Sequence, residues 1–200
     1  VRGTGYYNLS THLPWIGERT RAIDGAHVEY ARGIRNPLGV KIGPSVSPDE
    51  LLDLINVLNP ENQPGRLTLI HRMGASKIDK ALPPLIEAVK RENQNVLWIC
   101  DPMHANTIST SHGRKTRRFE DICEELRLSF AIHDACSSRL SGAHLELTGE
   151  NVTECTGGSG GLTEDGLGVA YQTQVDPRLN YEQALEIAFE IAEQLSSRSR

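Results

Sequence analysis

Five short apolar runs, each followed by a stretch of helical periodicity, limit what this chain can fold into more than any other feature. The runs lie near residues 13–17, 39–43, 66–70, 96–100 and 143–147. Strand and helix alternating in this way mean parallel βα units. The helical stretches carry their own signals. Ser47-Pro-Asp-Glu50 is a capping box with proline at the first helical position, and Leu51, Ile55 and Leu58 repeat behind it. Ile78, Leu82, Leu85, Ile86 and Val89 form one stripe, and Phe119, Ile122, Leu126 and Phe130 another. A further helix is expected from about Ala22 to Arg32, stopped by Asn36-Pro37. The last helix carries Ala184, Ile187, Ala188, Ile191 and Leu195, with Asn180 as its cap. Residues 107–116 read as a polar loop, and Gly157–Gly161 as a mobile one.

A closed eight-fold barrel takes about 250 residues. Five units in 200 residues fit an incomplete barrel or an open doubly wound sheet. No dinucleotide-binding glycine pattern supports the open sheet. Hydrophobic content of 38% and charged content of 24% describe a globular chain. A net charge of −5 argues against nucleic acid as the partner, and no apolar run reaches membrane-spanning length. Cys100, Cys123, Cys136 and Cys155 show no metal-type or secreted spacing. They read as reduced, mostly buried thiols of a cytoplasmic protein. The sequence starts at Val1 rather than Met, so a longer N-terminus is expected.

The strand ends carry the chemistry. The run Val96–Cys100 stops at Asp101-Pro102 because proline cannot donate to a sheet ladder. Asp101 and His104 then lie just past the carboxyl end of a strand, the rim where α/β sheets and barrels bind ligands. Asp101 also reads as a turn cap, and His104 as a surface histidine. The other ends offer Glu18 and Arg19, Lys41, Arg72 and Glu146, with Asp176 beyond the last run. Lys41 stands between Val40 and Ile42 and so points to the opposite face from both, where it needs a neutralising partner. Singly, each residue has an ordinary explanation as a solvated or paired charge. Gathered at one rim, they divide in two. Arg19, Lys41 and Arg72 suit a phosphate and a carboxylate. His104, Glu146 and Asp176 form a nitrogen-and-oxygen set for Mn²⁺, Co²⁺, Fe²⁺ or Zn²⁺.

Longer motifs accompany these residues. Trp15-Ile-Gly-Glu-Arg-Thr-Arg21, Asp24-Gly-Ala-His27, Gly39-Val-Lys41, Pro64-Gly-Arg66, Arg72-Met-Gly74, Cys100-Asp-Pro-Met-His104, Lys115-Thr-Arg117, Thr148-Gly-Glu-Asn-Val-Thr-Glu-Cys155 and Asp176-Pro-Arg-Leu-Asn180 occur in this order. From about Tyr7 to the last helix, the chain resembles the C-terminal half of type II 3-deoxy-D-arabino-heptulosonate 7-phosphate (DAHP) synthases. The resemblance implies a (β/α)8 TIM barrel, of which residues 1–200 supply about five C-terminal βα units of a single domain. It implies condensation of phosphoenolpyruvate with D-erythrose 4-phosphate to DAHP and phosphate, the first step of the shikimate pathway. By position, Glu18, Arg19, Lys41 and Arg72 match the phosphoenolpyruvate site, with Lys41 and His104 as catalytic residues. His104, Glu146 and Asp176 match three metal ligands, with Mn²⁺ or Co²⁺ expected before Zn²⁺ or Fe²⁺. The family's fourth ligand, a cysteine, and a Lys-Pro-Arg substrate segment belong to its N-terminal half and are not in this chain. Ala105 stands where the family usually has glycine, and Val175 where it often has cysteine. A homo-oligomer or a complementing N-terminal segment is the expected partner, and the location cytoplasmic, or plastidic in a plant. The rival reading is a truncated or degenerate paralogue that binds a phosphorylated ligand or a partner chain without catalysis. Another metal-dependent aldol-type barrel acting on a phosphorylated sugar is the second rival.

Overall fold

The computed structural model describes residues 5–196. Among these, the strands in chain order are β1 (Trp15–Ile16), β2 (Leu38–Ile42), β3 (Leu67–His71), β4 (Val96–Cys100), β5 (Thr107–Ser109), β6 (Lys115–Arg117) and β7 (Leu140–Ala143). The helices are α1 (Ala26–Gly33), α2 (Pro48–Leu58), α3 (Ile78–Arg91), α4 (Phe119–Ala135) and α5 (Tyr181–Ser196). Strands β1, β2, β3, β4 and β7 form one parallel sheet in that order, and β5 and β6 pair as a separate antiparallel hairpin. Each neighbour in the main sheet follows the last in sequence. A doubly wound sheet reverses its strand order at a switch point, whereas this order is that of a barrel wall. Among the described residues the wall is an open arc: it carries five strands and does not close.

The register decides what faces where. Val40, Leu69 and Trp98 lie side by side, and so do Lys41, Ile70 and Ile99. Side chains alternate between faces. The row with Val40 therefore joins Leu38, Ile42, Leu67 and Cys100 against Leu51, Leu54, Ile55, Leu82, Ile86, Ile122 and Leu126 of the helices, and this is the core. The row with Lys41 lines the other face. Gly39 belongs to that face, where a Cβ would stand 2.9 Å from the Trp15 Cβ and 3.1 Å from Ile70. Its lack of a side chain lets the edge strand close on β2.

The helix signals are realised. Ser47 Oγ accepts from the Glu50 amide at 3.3 Å, while Glu50 accepts from the Ser47 amide at 2.8 Å. Asn180 Oδ1 accepts from the Gln183 amide at 2.9 Å, capping α5. No helix among the described residues is long and apolar enough to cross a membrane.

The structure differs from the sequence expectations in four places. Helix α1 starts at Ala26 rather than near Ala22, because the Gly25 amide closes a turn on the Ala22 carbonyl at 2.8 Å. Residues 107–116 are not a plain loop: most of them build the β5–β6 hairpin, crossed by Thr107↔Arg117 and Ser109↔Lys115 pairs. The last sheet strand is Leu140–Ala143, so the alternating run 143–147 lies largely beyond it. There the chain leaves β4 and pairs Leu147 with Leu179 instead, which leaves Leu147 half exposed. Finally, Gly157–Gly161 is a pinned turn. The Gly158 amide donates to Glu120 at 3.1 Å, and the Ser159 amide to Glu186 at 3.1 Å. The four cysteines are free thiols; Cys100, Cys123 and Cys155 are buried, and Cys136 is partly exposed.

Candidate functional site

The carboxyl ends of β2, β3, β4 and β7 share one rim. Lys41 is the penultimate residue of β2 and points away from the helices. Its Nζ donates to Asp101 Oδ2 at 2.7 Å and lies 3.3 Å from His104 Nδ1. The ammonium also sits 5.9 Å from the centre of the Trp15 ring, an attractive cation–π geometry. Asp101 is the neutralising partner that the position of Lys41 requires. It is fully buried. Its Oδ1 also accepts the amides of Met103 at 3.0 Å and His104 at 3.2 Å, so the turn-cap reading of Asp101 holds as well. Burial would raise the Asp101 carboxyl, but hydrogen bonds and charge from His104 and Lys41 outweigh it and hold the group well below the usual carboxylate range.

His104 is clamped from both sides. Nδ1 lies 2.7 Å from Asp101 Oδ2, and Nε2 lies 3.1 Å from Glu146 Oε1. The hydrogen bonds to Asp101 and then Glu146 push the imidazole up to about 9, against the opposing effect of burial. Glu146 follows β7, in the segment that pairs with residue 179. Burial would raise its carboxyl, but His104 and Arg117 outweigh this and lower it to about 2. Arg117 is fully buried at the end of the β5–β6 hairpin. Its Nη1 donates to Glu146 Oε2 at 2.6 Å and to the Pro177 carbonyl, and its Nε to Thr107 Oγ1 at 2.9 Å. Asp176 precedes Pro177 and receives Lys115 Nζ at 3.0 Å.

His104, Glu146 and Asp176 thus converge: one potential donor atom from each lies within 4.8 Å of the other two. With donor atoms this close and of nitrogen and oxygen type, the set could hold a divalent ion. The His104 Nε2–Glu146 contact brings together two donor atoms from segments that follow separate strands, β4 and β7. The second imidazole nitrogen is held by a buried carboxylate, the arrangement that orients metal-bound histidines. Arg117 does the same for Glu146.

Beside this group opens a cleft of about 460 Å³, lined among others by Trp15, Glu18, Arg19, Lys41, Arg72, His104, Lys115 and Asp176. Glu18 and Arg19 occupy a 3-10 turn after β1, and Arg72 follows β3 directly. Arg72 Nη1 lies 3.8 Å from Glu18 Oε2, and the buried Arg72 Nε has no hydrogen-bond partner among the described residues. A buried donor without an acceptor is costly, so an anion entering the cleft would meet an unsatisfied guanidinium. Arg19 is exposed at the cleft mouth. All seven residues singled out from the sequence lie on this rim: Glu18, Arg19, Lys41, Arg72, His104 and Asp176 line the cleft, and Glu146 touches His104 from behind it.

Sequence reasoning missed part of the site. Asp101 was legible only as one of two readings of a strand end. Lys115 falls in the stretch read as a loop and Arg117 just after it; the two stand in the Lys115-Thr-Arg117 motif, but nothing local marks an arginine that will be buried. Beyond that motif, the available signal was the need of Lys41 and of three clustered candidate ligands for compensating charges.

Residues 1–192 match the family described as the Class-II DAHP synthetase family. Two curated relatives share the name phospho-2-dehydro-3-deoxyheptonate aldolase. The protein of Neurospora crassa is 54% identical over 190 residues, covering 94% of this chain and 40% of the relative. AroG of Mycolicibacterium smegmatis is 49% identical over 189 residues, covering 94% of this chain and 41% of the relative. The chain therefore spans about two fifths of the length of these relatives. Among solved structures, phospho-2-dehydro-3-deoxyheptonate aldolase from Francisella tularensis SCHU S4 superposes with a TM-score of 0.57 at 16% identity, covering 94% of this chain and 56% of the other. At that identity the likeness speaks for the fold.

Proposed function

The chain belongs to the Class-II DAHP synthetase family, and from that premise we propose that it supplies the metal-binding and phosphoenolpyruvate-binding rim of a DAHP synthase barrel. The reaction joins phosphoenolpyruvate to D-erythrose 4-phosphate and releases inorganic phosphate. The remaining barrel strands, in this reading, belong to the part of the protein that corresponds to the rest of its relatives' length, within one domain.

Phosphoenolpyruvate carries a phosphate and a carboxylate. Arg19 and Arg72 offer planar forks to these groups and Lys41 a point charge, while Glu18 steadies Arg72. A divalent ion held by His104, Glu146 and Asp176, Mn²⁺ or Co²⁺ before Zn²⁺ or Fe²⁺, would polarise the aldehyde oxygen of erythrose 4-phosphate as a Lewis acid. The methylene carbon of phosphoenolpyruvate forms the new bond to the aldehyde carbon. Water adds to the former enol carbon, and phosphate departs. Lys41 is assigned to proton transfer and charge stabilisation beside the reacting carbons. Asp101 fixes its ammonium and the His104 ring together, so that both groups hold one geometry before substrate arrives.

The observation that supports this reading most is the meeting of a three-residue ligand group with a cleft lined by Arg19, Lys41 and Arg72. The test is a coupled assay with both substrates on the full-length protein. DAHP formation should disappear with a chelator, return with Mn²⁺ or Co²⁺, and be abolished by His104→Ala with the far-ultraviolet circular dichroism unchanged. Undiminished turnover by His104→Ala would overturn the assignment.

A further inference from the structure

On the helix side of the sheet, directly beneath the rim, α4 buries a carboxylate that none of the site chemistry above uses. Glu125 is fully buried. Its Oε1 accepts the amides of Met73 at 2.7 Å and Gly74 at 2.9 Å. Its Oε2 accepts Asn106 Nδ2 at 2.7 Å. Asn106 in turn donates to the Pro102 carbonyl at 2.8 Å and accepts the Ala75 amide at 3.1 Å. One carboxylate and one amide therefore close a ring of hydrogen bonds around two loops. The first, residues 72–75, starts with Arg72. The second, residues 102–106, contains His104. The loops also run close together: at Gly74, with a φ of +85°, an added Cβ would lie 3.5 Å from Ala105.

Among the described residues, no cation is paired with Glu125. The ionisable groups around it are poor compensation. Burial and the neighbouring His133 push the His71 imidazole down to about 3, so it is neutral. Burial also pushes the Cys100 thiol well up, so it keeps its proton. Asp101 repels. Burial raises the Glu125 carboxyl itself to about 7, against the three hydrogen bonds. An apolar residue would fill this place in the core at lower cost. What Glu125 does, and an apolar residue could not, is hold two rim loops by their backbones.

We infer that Glu125 is a positioning residue: through Asn106 and the Met73–Gly74 amides it sets the separation between Arg72 and His104. Resting on the reading of the rim as a phosphoenolpyruvate and metal site, this makes it the element that aligns the two substrates. Reacting atoms need near-contact alignment, so a small shift of one loop against the other costs rate as well as affinity. Glu125 also lies with His71 and Cys100, their donor atoms within 4.8 Å, in a group that could itself be taken for a metal site. Its oxygens are already committed to three N–H donors, and the thiol is protonated, which favours the positioning role.

The test compares wild type with Glu125→Gln and Asn106→Ala in the full-length protein. Gln keeps an acceptor for the two amides but sets its Nε2 against Asn106 Nδ2, donor to donor. Asn106→Ala cuts the same ring from the other side, should the first variant not fold. Hydrogen–deuterium exchange should rise in both loops together and not in α2 or α3. The KM for phosphoenolpyruvate and its calorimetric Kd should rise about tenfold to a hundredfold, the range for loss of a group that orients a ligand-binding side chain. A lowered melting temperature with unchanged KM and unchanged loop exchange would reduce Glu125 to a structural residue and overturn the inference. So would the loss of a second bound metal equivalent in Glu125→Gln but not in His104→Ala. If wild type itself does not bind phosphoenolpyruvate, the substrate reading fails, and the exchange data still decide whether the loops are pinned.

Discussion

Substituting the Lys41–Asp101 pair tests whether the rim is organised by a buried ion pair. At 2.7 Å, two unit charges attract by about 6 kcal/mol at an effective dielectric of 20. Asp101 is wholly buried and the Lys41 side chain is 9% exposed, so solvent screens little of this. Both charges have also been desolvated, and the pair as a whole is worth far less than its attraction. Asp101→Asn leaves the ammonium buried against a neutral amide and should cost about 3–5 kcal/mol. Lys41→Met leaves a carboxylate that still has His104 at 2.7 Å and two amides, so it should cost less, about 1–3 kcal/mol. The double variant removes both charges together. It should be at least about 2 kcal/mol more stable than the sum of the single effects implies, because neither group is left uncompensated. Urea denaturation of the full-length protein, followed by fluorescence of the buried Trp98, measures all four corners of this cycle. Additive single effects would refute the coupling, and with it the account of why a lysine can sit inside β2.

If His104, Glu146 and Asp176 hold an ion, the clamp on His104 makes its binding a proton exchange. With its pKa raised to about 9 by Asp101 and Glu146, the imidazole is protonated at neutral pH, so an ion must displace one proton; Glu146, lowered to about 2, adds none. Calorimetry at pH 7.5 in buffers of different ionisation enthalpy should report about one proton released per ion, and a value near zero would contradict the clamp. Arg117→Met should weaken metal binding by about tenfold to a hundredfold through the freed Glu146, measured by equilibrium dialysis. Arg72→Lys keeps the charge but loses the planar fork, and should clearly raise the calorimetric Kd for phosphoenolpyruvate. Glu125 fixes a stability trend. Its carboxyl is raised in the folded state from 4.5 to about 7, so its protonated form favours folding below pH 4.5 and this contribution is lost as pH rises through 7. The stability of wild type relative to Glu125→Gln should therefore fall between pH 4.5 and 8, by about 3 kcal/mol, and a constant difference in denaturation would show the shift to be absent.

What the sequence by itself determined is local. Strand and helix periods, the Ser47–Glu50 capping box and the Asn180 cap follow from residues within a few positions of one another, and the structure keeps them. The ends of the strands were readable for the same reason, and with them the candidate rim residues Glu18, Arg19, Lys41, Arg72 and His104. Asp176 lines the same cleft and Glu146 touches His104, although the strand assigned to 143–147 starts three residues earlier. That shift shows the boundary. An alternating run says which side chains share a face, but the competition between β4 and Leu179 for Leu147 is settled by where the chain returns. Only the tertiary structure decided the partners. Lys41 meets Asp101 across 60 residues, Glu146 meets Arg117 across 29, and Lys115 meets Asp176 across 61. A buried charge demands compensation, and the sequence shows the demand. Which group answers it depends on strand register and on how the β5–β6 hairpin folds back over the rim, and these arise only when the whole sheet is assembled.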